Sequence, residues 1–289
     1  MNVPSTVEET LAFAIERLKK SGSDSASLDA SVLLCYVLDK QRSFLLTWPE
    51  KMLSVEDTEM FEAILQRRLH GEPIAYIVGE REFWSLPLQV APSTLIPRSD
   101  TERLVEIALE KVPHIQGDIL DLGTGTGAIA LAIASELPQR KVWGVDVKEE
   151  ARKLAESNAL KLGIENTTFL SGDWFAPLEG EGQFALIVSN PPYIEKQDPH
   201  LAQGDVRFEP LSALVAEDNG LADIKHISEQ TLRFLLPDAW LMFEHGYDQG
   251  SSVRNILSAL GYQSITTYKD YGENDRVTIG QFAPCQEEK

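Results

Sequence analysis

Cysteine is scarce in this chain of 289 residues, which contains only Cys35 and Cys285. Two cysteines at opposite ends of a sequence provide neither a disulfide framework nor the paired spacing of a zinc site. The five histidines are scattered as well and form no metal-ligand pattern. The sequence therefore predicts a protein of a reducing compartment that binds no metal.

Long hydrophobic runs are also missing. No apolar stretch approaches the roughly 20 residues of a membrane-spanning helix, and the opening residues Met1–Pro4 do not have the pattern of a signal peptide. We therefore expect a cytoplasmic protein without a membrane partner.

Positive charge is in short supply, since 26 Lys and Arg residues face 45 Asp and Glu residues and the net charge is −19. Proteins that grip a phosphate backbone need clustered Lys and Arg side chains to displace counterions, and the sequence has no basic cluster. Long-range repulsion thus disfavours nucleic acid as a direct partner, although a local basic groove stays compatible with this balance.

The length of the chain is comfortable for two domains. Residues 1–72 have the apolar spacing of helices throughout. Helices are expected to begin near Ser5, where Glu8 would complete a capping box, near Ser25, and at Ser54. Because this stretch has no catalytic constellation, we interpret it as a small helical bundle that recognises a partner.

A different pattern occupies residues 73–97. Short β-like pieces at 76–79, 83–84 and 86–90 alternate with Gly and Pro residues that favour turns. We predict a β-hairpin linker here.

Strands and helices alternate in residues 98–289, which predicts a doubly wound α/β sheet. The predicted strands are 117–123, 141–147, 167–173, 184–190, 239–244, 263–270 and 276–282. The connection between the last two is too short for a parallel crossover, so these strands must be antiparallel. A parallel sheet that ends in an antiparallel hairpin is typical of the Rossmann-like class I S-adenosylmethionine-dependent methyltransferases.

A glycine-rich loop follows the first of these strands and opens a helix. The loop reads Gly123, Thr124, Gly125, Thr126, Gly127, a strict alternation that differs from the loop of dinucleotide-binding proteins. Its glycines let a ligand approach the backbone closely. Asp121 stands just before the loop, where a carboxylate suits a cationic amino-acid group better than a pyrophosphate.

Acidic side chains end the next two strands. Asp146 can accept hydrogen bonds from both ribose hydroxyls of a nucleoside; the less favoured alternative is an N-cap of the following helix. Asp173 could bind an adenine amino group, and Trp174 could cover the base. Because these positions meet at the carboxyl edge of the sheet, they predict a site for S-adenosylmethionine.

The tetrapeptide Asn190, Pro191, Pro192, Tyr193 ends the fourth strand. The two prolines have no N–H, so the backbone offers only carbonyl oxygens there. The side-chain oxygen of Asn190 and the carbonyl of Pro191 can then accept both hydrogens of one flat –NH2 group, which predicts that both are catalytic. Asn190 would also border the cofactor, while Pro192 and Tyr193 would complete the substrate site. A plain turn after a strand is the alternative.

The chain resembles the HemK/PrmC family, the protein-(glutamine-N5) methyltransferases that modify peptide chain release factors. The resemblance covers essentially the whole chain. It rests on Gly71-Glu72-Pro73, Tyr76–Gly79, Leu95–Arg98, Asp100–Glu102, Gly123–Gly127, Asn190–Tyr193 and Phe208-Glu209-Pro210. One departure is Ser99, where the family often has proline.

This resemblance implies methyl transfer from S-adenosylmethionine to the side-chain amide nitrogen of the glutamine in the Gly-Gly-Gln motif of class 1 release factors, which modulates translation termination. We expect a monomer with no metal. The long polar segment 194–210 is expected to order over the incoming peptide, with Arg207 tying the loop rather than touching the substrate. His245 is interpreted as a polar strand end and not as a base.

Three alternatives stay open. An adenine-N6 methyltransferase would use the same tetrapeptide on a flipped base, and the acidic balance weighs against it. A methyltransferase that modifies glutamine in a ribosomal protein is only weakly separated by the motifs. A binding module without turnover is disfavoured by the intact loop, Asp146 and Asn190.

Overall fold

The chain divides into two units in a computed structural model that describes residues 6–180 and 182–283. One unit contains Met1–Glu80 together with Ala202–Phe208, and the other contains Arg81–Leu201 and Glu209–Lys289. The short second piece of the first unit comes from the long polar segment after the Asn-Pro-Pro-Tyr tetrapeptide.

The described residues before Glu80 are mainly helical. The helices are α1 (Val7–Lys20), α2 (Ala26–Leu38), α3 (Arg42–Thr47), α4 (Val55–Leu69) and α5 (Ile74–Val78). Their apolar sides share one core that contains Leu18, Leu33, Leu34 and Leu65, all fully buried. The helical character predicted for this stretch follows from that spacing of apolar residues.

Side-chain caps set the start of two of these helices. Ser54 caps α4 by accepting a hydrogen bond from a backbone N–H of its first turn at 3.0 Å, as predicted. The capping box of α1 is formed by Thr6 and Glu9. The prediction of this box at Ser5 and Glu8 is wrong by one residue, because the same spacing recurs one position later; Ser5 itself lies outside the described residues.

The prediction of a β-like piece at residues 76–79 is wrong. Residues 76–78 belong to α5, which begins after Pro73, and Gly79, where φ is +77°, is its C-cap. Aromatic and β-branched residues favour strands locally, but Tyr76 and Ile77 are buried, and Ile77 joins the helical core. Tertiary burial therefore outweighs local propensity.

The prediction of a β-like piece at 83–84 is wrong at Trp84, which lies in a turn. A two-stranded sheet follows α5, with β1 at Glu80–Phe83 and β2 at Leu86–Gln89. The two residues between them, Trp84 and Ser85, have φ of 54° and 60°. Positive φ at both positions is the geometry of a tight hairpin turn.

The large sheet has seven strands in the order β5-β4-β3-β6-β7-β9-β8. The strands are β3 (Asp118–Leu122), β4 (Val142–Asp146), β5 (Thr167–Ser171), β6 (Phe184–Ser189), β7 (Leu235–Glu244), β8 (Gln263–Lys269) and β9 (Asp275–Gln281). The first five pair in parallel, and β9 is antiparallel to both β7 and β8. The predicted parallel sheet with an antiparallel C-terminal hairpin is confirmed.

Helices connect the strands. They are α6 (Glu102–Lys111), α7 (Ala128–Glu136), α8 (Glu149–Leu162), the short α9 (Glu217–Gly220), α10 (Ala222–Thr231) and α11 (Gly250–Ala259). Successive residues of β6 enter two different apolar clusters, since Leu186 and Val188 belong to one and Ile187 to the other. Both faces of the sheet are thus buried, as parallel sheets require.

The strand order reverses between β3 and β6. The chain moves from β3 outward through β4 to β5 and then returns to place β6 on the other side of β3. In open α/β sheets, ligands bind outside the carboxyl ends of the strands at such a point. Leu122 pairs with Ser189 there, so the segments that follow these residues leave the sheet side by side.

Candidate active site

The carboxyl ends of β3 to β6 border a cavity of about 300 Å³. Most of the residues that the sequence predicts for the site line this cavity: residues 123–126, Asp146, Asp173, Trp174, Asn190 and Pro192. Gly127, Pro191 and Tyr193 are not among the described lining residues.

Gly127 does not line the cavity and has a structural role instead. It is the N-cap of α7 with φ +82°, and a Cβ there would lie 3.1 Å from the Cβ of Ala155 in α8. A larger residue would push the glycine-rich loop away from α8. Gly127 therefore sets the path of the glycine-rich loop, and residues 123–126 of this loop line the cavity.

Asp146 is oriented by the backbone on both sides. Its Oδ2 accepts a hydrogen bond from Gly125 N–H, and its Oδ1 accepts one from Lys148 N–H, both at 2.9 Å. The N-cap of α8 is Lys148, so Asp146 is not the cap that the alternative interpretation required. Each carboxylate oxygen keeps a further lone pair that can accept a ligand hydroxyl.

Trp174 forms one wall of the cavity. Its φ is +43°, and a Cβ built on Gly123 would lie 3.7 Å from the Trp174 ring. The ring therefore lies against the glycine-rich loop, at a distance where even a Cβ on Gly123 would make only an ordinary contact. Asp173 lines the same cavity, although β5 ends at Ser171, two residues before the predicted end.

Asn190 follows β6 and is partly buried at the cavity wall. Its side-chain nitrogen donates a hydrogen bond to the hydroxyl oxygen of Thr101 at 3.4 Å. With the nitrogen turned towards Thr101, the side-chain oxygen faces the other way and can accept a hydrogen bond. Pro191 is buried and Pro192 borders the cavity.

Tyr193 is fixed by a buried carboxyl group. Its hydroxyl donates a hydrogen bond to Glu244 Oε1 at 3.3 Å. Burial raises the pKa of the Tyr193 hydroxyl, and the nearby charge of Glu244 adds to that rise. Burial also raises the pKa of the Glu244 carboxyl, against the opposing effects of Thr101 and Arg276. This phenol therefore stays neutral near neutral pH.

Asp121 is fully buried at the end of β3. Its Oδ2 accepts hydrogen bonds from the Thr124 hydroxyl at 2.7 Å and from Ala130 N–H at 3.2 Å. Its Oδ1 has no hydrogen-bond partner among the described residues. Burial raises the pKa of the carboxyl to about 7. A cation that contacted Oδ1 would both satisfy this oxygen and favour its ionised form.

His245 is not available as a base. Its Nδ1 contacts the Gly246 carbonyl at 2.8 Å, so this nitrogen carries the hydrogen. Its Nε2 lies 2.7 Å from the Thr278 hydroxyl and accepts from it. Burial lowers the pKa of the ring. The interpretation of His245 as a neutral, polar strand end agrees with these contacts.

Three residues without a predicted role lie at the cavity or against a residue that lines it. Arg98 lines the cavity and donates a hydrogen bond to the buried carboxylate of Glu209 at 2.5 Å. Asp223, in α10, also borders the cavity, and burial raises the pKa of its carboxyl. The motifs that contain Arg98 and Glu209 could have identified these two residues from the sequence. Asp223 has no such signal, because it lies in an ordinary helical pattern.

Across residues 6–180 and 182–283, no three or more His, Cys, Asp or Glu side chains are grouped so that they could hold a metal ion. Within the same ranges, no helix combines the length and the apolar character needed to cross a membrane.

The fold and the site define a class I methyltransferase. Residues 100–206 match the family model of the methyltransferase small domain, and residues 9–79 match that of the PrmC N-terminal domain. The structure of a methyltransferase from Pyrococcus furiosus shares the fold at 19% identity, with a TM-score of 0.53 over 75% of this chain and 97% of that one.

Relatives that match along nearly their whole length narrow the class further. The release factor glutamine methyltransferase of Vibrio cholerae is 63% identical over 277 residues, which cover 96% of this chain and 97% of that protein. The Escherichia coli K12 protein of the same name is 53% identical over 272 residues, 94% of this chain and 97% of that one. The chain belongs to the release factor glutamine methyltransferase family and is an S-adenosylmethionine-dependent protein methyltransferase, as the resemblance implied.

Proposed function

We propose that this protein transfers the methyl group of S-adenosylmethionine to the side-chain amide nitrogen of the glutamine in the Gly-Gly-Gln motif of class 1 peptide chain release factors. The observation that carries the proposal is the orientation of Asn190, whose nitrogen is turned to Thr101 so that its oxygen can accept from an incoming –NH2 group. The names of relatives that are 50–63% identical support the same substrate.

The residues that line the cavity, together with the buried Asp121 just before the glycine-rich loop, fit the cofactor. The unpartnered Oδ1 of Asp121 suits the ammonium group of the amino-acid part. Asp146, held by two backbone N–H groups, has lone pairs left for two ribose hydroxyls. Asp173 would accept from the adenine amino group, and Trp174 would cover the base. When bound, S-adenosylmethionine supplies a methyl group on a positively charged sulfur, which leaves as a neutral sulfide.

The protein must compensate for the poor nucleophilicity of an amide nitrogen, whose lone pair is delocalised into its carbonyl. Asn190 Oδ1 and the Pro191 carbonyl would accept the two amide hydrogens and so aim the nitrogen. Positioning of this kind supplies roughly 7–11 kcal/mol of a bimolecular barrier. The same two acceptors stabilise the positive charge that develops on the nitrogen. We assign no general base, and the proton passes to solvent after transfer.

Tyr193 would form a wall against the flat acceptor amide. Its hydroxyl is tied to Glu244, and its high pKa keeps it uncharged. A neutral aromatic face beside the amide excludes water without competing for the amide hydrogens.

The order of the segments along the chain suggests a separate role for each of them. We propose that residues 1–72 recognise the release factor, that residues 73–97 act as a hairpin linker, and that residues 98–289 catalyse the transfer. We also propose that the protein is monomeric and cytoplasmic and has no direct nucleic-acid partner. The net charge of −19 supports the last point, because it repels a phosphate backbone.

Transfer of labelled methyl from S-adenosylmethionine to a purified bacterial release factor tests the proposal. A parallel sample contains the same factor with the glutamine of its Gly-Gly-Gln motif replaced. Label on the native factor and none on the variant is the expected result. Label on DNA, RNA or a ribosomal protein, with none on the release factor, would contradict it.

A further inference from the structure

The loop that follows the Asn-Pro-Pro-Tyr tetrapeptide is closed at its base. Ile194 N–H donates to the Leu214 carbonyl at 2.9 Å, and Ala216 N–H donates to the Ile194 carbonyl at 3.1 Å. Close to the second end of the loop, Arg98 binds the buried carboxylate of Glu209. The loop therefore starts and ends beside the cavity that Asn190 and Arg98 line.

The tip of this loop, residues 202–208, belongs to the helical unit. Arg68, near the C-terminal end of α4, donates hydrogen bonds to Asp205 at 3.1 Å, to Asp29 at 2.8 Å and to the Glu72 carbonyl at 3.1 Å. Asp29 is only 5% exposed. Because Arg68 is fixed by the buried Asp29, it is a rigid point of attachment for Asp205.

Gly71 leaves space for a second attachment. Arg207 Nη2 donates a hydrogen bond to the His70 carbonyl at 3.3 Å, and a Cβ on Gly71 would lie only 1.6 Å from that nitrogen. The guanidinium also lies 5.0 Å from the centre of the Phe208 ring. A side chain at position 71 would thus displace Arg207, which gives this glycine of the Gly-Glu-Pro motif a steric role.

We propose that Arg68, Gly71 and Arg207 are positioning residues for methyl transfer. Through them the helical unit holds the tip of the loop that follows the tetrapeptide, so that fewer loop conformations compete with the one that receives the Gly-Gly-Gln segment. The role in transfer rests on the proposed function, whereas the attachment of the loop does not.

Hydrogen exchange at residues 202–208 of the free, full-length protein tests the attachment without any assumption about activity. We expect faster exchange in Asp205→Asn and in Arg207→Ala, and exchange close to that of the unmodified protein in Asp205→Glu, which keeps the carboxylate. Gly71→Ala should resemble Arg207→Ala, because its Cβ occupies the place of the guanidinium. Unchanged exchange in all of the disruptive variants would overturn the proposal.

Gly22→Ala is a matched control for Gly71→Ala. Gly22 has φ +89°, close to the +93° of Gly71, but a Cβ there meets nothing within 4 Å. Both substitutions introduce the same backbone strain, and only one displaces Arg207. The control should therefore leave exchange at residues 202–208 unchanged. A control that speeds it as much as Gly71→Ala would contradict the steric role.

Steady-state methylation of a release factor then tests the effect on catalysis. We expect the double variant Asp205→Asn, Arg207→Ala to lower kcat/KM for the release factor about tenfold, with an unchanged Kd for S-adenosylmethionine. A kcat/KM equal to that of the unmodified protein, despite faster loop exchange, would overturn the positioning role. If the unmodified protein does not methylate the factor, the proposed function fails and the positioning role with it, while the exchange result still decides the attachment.

Discussion

The side-chain nitrogen of Asn190 donates a hydrogen bond to the Thr101 hydroxyl, 3.4 Å away and 89 residues earlier in the chain. The Thr101 oxygen is the acceptor in this pair. A side-chain amide can present either its oxygen or its nitrogen to a ligand. With its nitrogen engaged by Thr101, Asn190 is left to present its oxygen.

Asn190→Ala should abolish methyl transfer, because it removes an acceptor for the substrate –NH2 group. We expect kcat to fall by at least about 100-fold, while the Kd for S-adenosylmethionine weakens only modestly. Single-turnover kinetics and calorimetry measure the two effects separately. Near-normal turnover in this variant would contradict the mechanism.

Thr101→Val should lower kcat although Thr101 does not touch the reacting atoms. The substitution keeps the shape of the side chain and removes the hydroxyl that orients Asn190, which should cost about fivefold to tenfold in kcat. Thr101→Ser keeps the hydroxyl and should recover most of the activity. Equal kcat values for the two variants would show that the hydroxyl has no such role.

The affinity for S-adenosylmethionine should depend on the protonation of Asp121. Burial raises the pKa of this carboxyl to about 7, and a bound ammonium group favours the ionised form. The Kd should therefore rise as the pH falls below about 7, by up to about tenfold per pH unit. Calorimetry across this range measures the slope. Asp121→Asn should bind more weakly and with a flatter pH profile, and an unchanged slope would exclude Asp121 as the cause.

The Asp121 carboxyl should also affect the free energy of unfolding in the absence of cofactor. Its pKa is 3.8 ordinarily and about 7 in the folded protein, so the folded state binds more protons than the unfolded state between these values. The contribution of Asp121 to stability therefore falls as the pH rises through this window. Urea unfolding at several pH values measures this effect. As the pH rises, the free energy of unfolding should fall less for Asp121→Asn than for the unmodified protein, and an equal fall would contradict the assignment to Asp121.

Gly144→Ala should destabilise the sheet beneath the cofactor site. A Cβ there would lie 2.5 Å from the Phe169 ring and 2.9 Å from the Thr124 hydroxyl. Overpacking of this kind costs about 1–3 kcal/mol in the free energy of unfolding, which urea unfolding measures. Adding Phe169→Leu should recover part of the loss because it makes room for the new methyl group. No recovery would mean that the contact with the ring is not the cause.

Much of the fold could be predicted because its signals are local. Apolar runs that end in Gly123, Asp146 and Asn190 predict parallel strands, and the short connection before β9 leaves only an antiparallel pair. The same local reasoning fails at α5, where Tyr76 and Ile77 favour a strand but pack into a helical core.

The candidate site was predictable where the residues follow strand ends, as Asp146, Asp173 and Asn190 do. Asp223 could not be found in this way, because it lies in a helix and reaches the cavity only through the packing of the chain. Gly71 shows a related limit. Its motif is visible in the sequence, but its contact with Arg207 joins segments that are far apart and exists only in the fold.

A structure of the protein with S-adenosylhomocysteine and a peptide that contains Gly-Gly-Gln would show directly how the acceptor amide is held. We expect the glutamine side-chain nitrogen to donate to Asn190 Oδ1 and to the Pro191 carbonyl while it faces the sulfur of the cofactor product. A glutamine held by other groups, or an Asn190 turned so that its nitrogen faces the substrate, would refute the proposed role of Asn190.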